Sequence, residues 1–169
     1  MFFECLPVEL IADVLGELDL ESLVKVAHLS KRLYAIASDS SLNPWRRPIL
    51  RNLRSQCYEP SLKNLSVYSV IPRQNWIEIL ALAYPEFILY AATLPNLKNV
   101  EWEECFNRRF LPGWRKWKKD GSWKEAYLKS VLDCPRSEHS NLLPGCCIEF
   151  LIGALLLARP MKHGQSWCT

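Results

Sequence analysis

The chain has 169 residues, of which 49% are apolar and 23% are charged, and its formal net charge is +3. This balance is typical of a folded globular protein and excludes an intrinsically disordered chain. The length predicts a single domain, or a small motif followed by one further domain. Because the chain has 11 prolines and only 6 glycines, it favours short helices with defined ends, and we expect an all-α protein.

Residues 6–45 predict three short amphipathic helices. Pro7 suits the first turn of a helix, because it has no N–H to leave unpaired and its φ is already fixed. Asp19 is placed to cap a second helix, and Ser30 is placed to cap a third. The first helix carries an apolar stripe two residues wide at helical spacing, formed by Leu10, Ile11, Val14, Leu15 and Leu18.

The second and third helices repeat this pattern, and more apolar surface follows them. Their inward positions are Leu20, Leu23, Val26 and Ala27, then Leu33, Ile36 and Ala37. After a turn at residues 39–41 come Leu42, Pro44 and Trp45. Three short helices bury little surface alone, so two interpretations are open. The stripes pack on the rest of the same chain, as in an ordinary helical bundle, or they cover a partner protein.

An ordered series of residues in this segment carries a family resemblance. Its members are Leu6, Pro7, Glu9, Leu10, Val14, Leu15, Leu18, Leu20, Leu23, Val26, Ser30, Lys31, Arg32, Tyr34, Ala35, Ala37, Ser38, Asp39 and Leu42. In order and spacing the series resembles the F-box motif. F-box proteins are the substrate receptors of SCF ubiquitin ligases, in which the motif docks on a Skp-family adaptor that in turn binds a cullin. The resemblance implies a non-catalytic receptor subunit with an unknown target protein and no cofactor.

The resemblance also implies which residues form the docking face and its support. They are Leu6, Pro7, Leu10, Ile11, Val14, Leu15, Leu18, Leu23, Val26, Leu33 and Leu42. The family often places Trp where Leu33 stands, so we expect a smaller contact there and a changed affinity. Periodicity does not separate the residues that face the adaptor from those that face the interior.

The charges around this segment are unevenly spread. Six acids and no base lie within residues 1–24, whereas Arg46, Arg47, Arg51 and Arg54 follow the motif closely. Two interpretations are open: solvated helix faces, or electrostatic help in docking. We expect the F-box over residues 1–48, and a basic helix with a polar connector over residues 49–71.

A second block of short helices is predicted over residues 72–132. Pro72 and Pro85 each open a helix, and residues 100–110 form another. Ser122 and Glu125 form a capping-box signature that opens the last helix. Residues 102–129 are similar to the region that follows the F-box in many fungal F-box proteins, and the combination with residues 71–87 implies a fungal origin.

An aromatic and basic stretch lies within this block, at residues 102–119. Interleaved basic and aromatic side chains can bind nucleic acid, so a small helical nucleic-acid-binding protein using residues 108–119 is an alternative function. The favoured interpretation is that Trp102, Phe106 and Phe110 pack inward at i, i+4 and i+8. The basic side chains would then coat the outside and cover Trp faces through cation–π contacts.

The cysteines and histidines do not predict a metal or catalytic site. Seven cysteines without a C-x-x-C pair support neither a zinc site nor a disulfide framework, and the three histidines lack metal-ligand or nucleophile spacing. We see no secretory signal, so we expect an intracellular protein of the cytoplasm or nucleus.

The end of the chain has the composition of a loop and then an apolar run. Residues 133–145 predict the loop, and residues 146–158 are too short a run to span a membrane. We expect this part, residues 133–169, to be a truncated or aberrant end of a receptor. A further alternative follows, a chain that binds the adaptor but lacks a functional target domain.

Overall fold

The computed structural model describes residues 6–118 and 121–133 of the chain. Within these residues the regular structure is entirely helical, so the prediction of an all-α fold is confirmed. The α-helices are α1 (Val8–Gly16), α2 (Leu20–Ala27), α3 (Lys31–Ser38), α4 (Arg46–Ser55), α5 (Gln74–Leu82), α6 (Asn99–Arg109) and α7 (Trp123–Leu132). Shorter helical segments lie between them: 3-10 helices at Pro60–Val67 and Pro112–Trp117, and a π-helix at Phe87–Ala91.

The helix starts lie where the local sequence predicts them. Pro7 directly precedes α1. The Asp19 carboxylate accepts a hydrogen bond of 2.8 Å from the Ser22 N–H and caps α2. The Ser30 hydroxyl accepts from the Leu33 N–H at 3.2 Å and caps α3. Ser122 opens α7 with the predicted capping box. Each of these caps satisfies an N–H that has no partner inside its own helix.

The first four helices share one core centred on Trp45. The indole of Trp45 has no exposed surface, and its Nε1–H donates to the Ala37 carbonyl oxygen at 2.8 Å. Helix α1 contacts both α3 and α4, and α2 contacts α3. Ile11 and Leu15 of the predicted stripe are buried in this core. Much of the N-terminal apolar surface therefore packs within the chain, as the helical-bundle interpretation expects.

Residues 56–70, expected from the sequence to be part of a polar connector, contain short helical turns that pack on the core. After the left-handed Gln56 (φ 60°), Pro60 opens a 3-10 helix whose Leu62 and Leu65 are fully buried, as is Val70 further on. The segment is interrupted at Asn64, whose backbone is not helical (φ −112°, ψ 15°). Because only about one helical turn lies on each side of this kink, no helical periodicity extends over the segment that would predict its burial from the sequence. The segment is a packed part of the core.

Helices α5, α6 and α7 form a second packed layer. α6 lies against both α5 and α7, and α5 contacts α4 of the first layer. Tyr127 of α7 is fully buried and donates from its hydroxyl to the Leu80 carbonyl oxygen of α5 at 2.5 Å. Burial raises the pKa of this phenol well above its usual range. The predicted apolar run at residues 146–158 and the loop before it, from residue 134, lie outside the described residues.

An ion pair joins the start of α5 to the start of α6. The Arg73 guanidinium donates to both carboxylate oxygens of Glu101, at 2.9 and 2.7 Å. Glu101 also accepts from the backbone N–H of Lys98, the N-cap residue of α6. The hydrogen bond from Arg73 is the main reason that the pKa of Glu101 falls to about 2.

We expect Trp45→Phe to lower the free energy of unfolding by about 2–3 kcal/mol, because it removes indole volume and leaves the buried Ala37 carbonyl oxygen unpaired. Urea denaturation of the full chain measures the change. The matched control is Trp76→Phe, since Trp76 is 5% exposed and its indole N–H has no partner among the described residues. The control should cost about 1 kcal/mol less. Equal costs would contradict the role of the hydrogen bond.

We expect Glu101→Gln to destabilise the chain at neutral pH and to lose this effect in acid. The folded-state pKa of about 2 lies below the unfolded value, which is about 4.3. The stabilisation is therefore fully present above the unfolded pKa and disappears as the pH falls through the folded one. Denaturation of both proteins between pH 6 and pH 2 tests this, and a difference that stays constant over that range rules it out. Glu104→Gln, which breaks an exposed i,i+4 pair with Arg108, should cost less than about 0.5 kcal/mol at pH 6.

Candidate docking surface

Helix α1 presents apolar side chains to solvent as well as to the core. Leu10 and Val14 are 51% and 49% exposed, although Ile11 and Leu15 beside them are 0% and 1% exposed. Leu10 and Val14 are four residues apart and therefore lie on one face of the helix. The exposed Pro7 and the partly buried Leu6 and Leu18 lie near its two ends. We call Pro7, Leu10 and Val14 the α1 stripe.

The structure sorts the predicted docking residues by exposure. Pro7, Leu10 and Val14 are exposed, and a partner can reach them directly. Leu6, Leu18, Val26 and Leu42 are partly buried against the core. Ile11, Leu15, Leu23 and Leu33 are buried inside it, so these four can serve docking only as support. Val8, 38% exposed, was not among the predicted residues, because it stands outside the periodic stripe at the first position of α1.

The acidic and basic groups around α1 face each other. Arg47 of α4 pairs with Asp13 at 3.1 Å and with Glu17 at 2.9 Å, both on or next to α1. All three side chains are more than half exposed, so each pair contributes at most about 1 kcal/mol. The acidic N-terminal segment and the arginines that follow the motif therefore partly neutralise each other within the chain.

The turn between α1 and α2, residues 17–20, is held from both sides; we call it the α1–α2 corner. Arg51 of α4 donates to the Glu17 and Leu18 carbonyl oxygens, at 3.2 and 2.8 Å, where α1 ends. The Glu59 carboxylate accepts from the Leu20 N–H at 3.0 Å, where α2 begins. A cation thus lies at a helix C-terminus and an anion at a helix N-terminus, and each charge suits the local dipole.

Comparison with known protein families identifies this helical segment. Residues 3–51 match the family model described as F-box-like. The N-terminal segment is an F-box-like domain. No curated protein and no solved structure matches the chain. The match covers α1, α2 and α3 and ends inside α4, and it includes every predicted docking residue.

The F-box-like domain is joined to the second layer by polar contacts. Asn43 and Asn75 exchange two side-chain amide hydrogen bonds of 3.0 and 2.9 Å, and Asn75 is only 1% exposed. Arg46 pairs with Glu78 at 3.1 Å. The Gln74 side chain donates to the Ser40 carbonyl oxygen at 2.7 Å. These contacts fix the end of the F-box-like domain against α5.

The aromatic residues of the basic stretch pack as the favoured interpretation predicts. Trp102, Phe106 and Phe110 are 3%, 1% and 4% exposed. Two cations cover the Trp123 ring, with the Lys118 ammonium 4.9 Å and the Arg115 guanidinium 5.7 Å from its centroid. The predicted inward packing is confirmed, and the cation–π cover by Arg115 and Lys118 lies on Trp123, which follows the stretch.

The described basic side chains of this stretch make contacts within the chain. Arg108 pairs with Glu104, and Arg115 pairs with Glu103 at 2.6 Å. Arg109 donates to the Leu80 and Ala83 carbonyl oxygens, at 2.9 and 2.8 Å, where α5 ends. These arginines act as helix-terminus and ion-pair partners, so their geometry gives no support to the nucleic-acid alternative.

Groups that could carry metal or thiol chemistry are not assembled in the described part of the chain. No three His, Cys, Asp or Glu side chains among these residues are placed to hold a metal ion. Cys57 is exposed and Cys105 is buried, and burial raises the pKa of the Cys105 thiol to about 12. Among the same residues, no helix has both the length and the apolar character to cross a membrane.

We expect Arg109→Met to lower the free energy of unfolding by about 1–3 kcal/mol, because the partly buried carbonyl groups at the end of α5 lose a charged donor. Arg108→Met is the matched control: it removes the same charge one residue earlier but breaks only an exposed i,i+4 pair, at a cost of less than about 0.5 kcal/mol. Thermal and urea unfolding measure both. If Arg108→Met proves as costly as Arg109→Met, the assigned role of Arg109 is wrong.

Proposed function

We propose that this chain is an F-box substrate-recognition subunit of an SCF-type ubiquitin ligase. In this role the F-box-like domain docks on a Skp-family adaptor, and through it on a cullin, while the rest of the chain carries a target protein. The observation that carries the proposal is the match of residues 3–51 together with the exposed apolar stripe on α1. A helix face that only contacts water is usually polar, so the half-exposed apolar side chains of Leu10 and Val14 favour a partner that covers them.

The α1 stripe is the centre of the proposed adaptor contact. Leu10 and Val14 are each about half exposed, and covering these exposed halves contributes roughly 1 kcal/mol or more per side chain. Pro7 extends the stripe, and Leu6 and Leu18 form its edges. Ile11 and Leu15 support it from below, because they hold α1 on the core.

The proposed mechanism is proximity. The adaptor-docked chain raises the effective concentration of its target near the ubiquitin-charged enzyme and contributes no reacting side chain. The proposal includes a location in the cytoplasm or nucleus and a fungal origin.

The test is binding of the full chain to a purified Skp-family adaptor, measured by calorimetry and co-purification. We expect the native chain to bind and the double variant Leu10→Asp with Val14→Asp to bind at least about 100-fold more weakly, because it removes apolar contact and buries two carboxylates. Leu15 is unsuitable for such a change, since it is 1% exposed and a charge there would unfold the core.

The matched control is Val67→Asp with Val100→Asp. These valines are 70% and 75% exposed and lie outside residues 3–51, so the control adds the same charge to exposed apolar positions and should bind like the native chain. Failure of the native chain to bind would exclude the proposed function. Equal binding by the stripe variant and the native chain would exclude the α1 stripe as the contact.

Binding at several salt concentrations separates the proposal from the nucleic-acid alternative. The affinity of an apolar helical interface changes little between about 50 and 200 mM salt. The affinity for a nucleic acid bound through several phosphate contacts falls by orders of magnitude over that range. We expect weak salt dependence with the adaptor.

A further inference from the structure

The α1–α2 corner depends on a residue outside the F-box-like match. The match ends at residue 51, yet Glu59 is the group that accepts the Leu20 N–H at the first position of α2. These two residues are separated by 39 positions. The F-box-like segment therefore does not supply all the polar contacts of its own corner.

The start of α2 uses two carboxylates for different N–H groups. Asp19 accepts from the Ser22 N–H at 2.8 Å and so caps the third position of the helix. Glu59 accepts from the first position, Leu20, whose side chain is fully buried in the core. The N–H groups of a first helical turn have no partner inside the helix, and an anion there is also favoured by the dipole. Asp19 therefore does not bind the N–H of Leu20, and Glu59 accepts this hydrogen bond instead.

The Glu59 carboxylate is itself held in place. Its Oε1 atom accepts from the Asn52 side-chain amide at 2.8 Å, and its backbone N–H donates to the Asn52 Oδ1 atom at 2.7 Å. Asn52 is 4% exposed and also donates to the Pro48 carbonyl oxygen at 3.0 Å. Both carboxylate oxygens of Glu59 therefore accept from fixed donors, one on α2 and one on α4.

We propose that Glu59 is a positioning residue for the docking surface. With Arg51 at the end of α1, it holds the α1–α2 corner in the arrangement that presents the α1 stripe and Leu18 together. This inference rests on the proposed adaptor docking. A partner that needs one arrangement of the corner binds more weakly when only part of the folded population adopts it.

The isosteric substitution Glu59→Gln tests the positioning role most directly. It keeps the size of the side chain but replaces one acceptor oxygen by an NH2 group, which must then face either the Leu20 N–H or the Asn52 amide donor. We expect a roughly three- to tenfold rise in Kd for the Skp-family adaptor. We also expect faster hydrogen exchange of the Leu20 amide, with no change in the amides of α6.

A purely structural role is separated from positioning by the folded fraction. Urea denaturation identifies conditions under which the variant is more than about 95% folded, where global unfolding can raise the apparent Kd by only about 5%. Glu104→Gln is the matched control, because it neutralises a carboxylate that pairs with Arg108 of the same helix, away from the α1–α2 corner. The control should leave both Kd and Leu20 exchange unchanged.

The outcomes separate this inference from the proposed function. A native chain that binds the adaptor, together with a weakened Glu59→Gln variant and an unchanged control, supports both. If the native chain binds and the variant matches it under folded conditions, the positioning role is overturned and the proposed function stands. If the native chain does not bind, both fall.

Discussion

The burial of Trp45 is the constraint on which the arrangement of the N-terminal helices depends. Its indole lies wholly inside the core, and its N–H is bound to the Ala37 carbonyl group in the last turn of α3. A large aromatic ring with a satisfied polar atom has few alternative placements. The direction of α4 relative to α3 is therefore fixed. Helix α4 also carries Arg47 and Arg51, which contact acidic side chains on or next to α1 and carbonyl groups at its C-terminal end.

The turn between α3 and α4, residues 39–45, also connects the two layers of helices. Asn43 adopts the left-handed conformation (φ 36°) that asparagine tolerates better than most residues. This conformation accompanies the reciprocal pair that its amide forms with the buried Asn75 of α5. A buried amide pair is worth most when every donor and acceptor finds a partner. This turn therefore contributes Trp45 to the core of the first layer and Asn43 to the contact between the two layers.

Sequence patterns predicted the local features of this protein and missed the distant ones. The caps of α2, α3 and α7 were predictable because Asp19, Ser30 and Ser122 act on N–H groups three residues away. The inward packing of Trp102, Phe106 and Phe110 followed from helical spacing. The cap that Glu59 provides and the pair of Asn43 with Asn75 join residues 39 and 32 positions apart, and no local pattern encodes such contacts. The α1 stripe was predictable as apolar, but a stripe two residues wide spans both a buried and an exposed face.

The position of residue 51 within α4 has a practical consequence for grafting this domain. A chimera joined at the end of the family match would cut α4 between Arg51 and Asn52 and would separate the corner from the residues that hold it. The donor fragment would also lose Leu53, Leu62 and Leu65, which are nearly or fully buried against the rest of the chain. A transplanted unit therefore has to continue at least through α5, where the partners Asn75 and Glu78 are included.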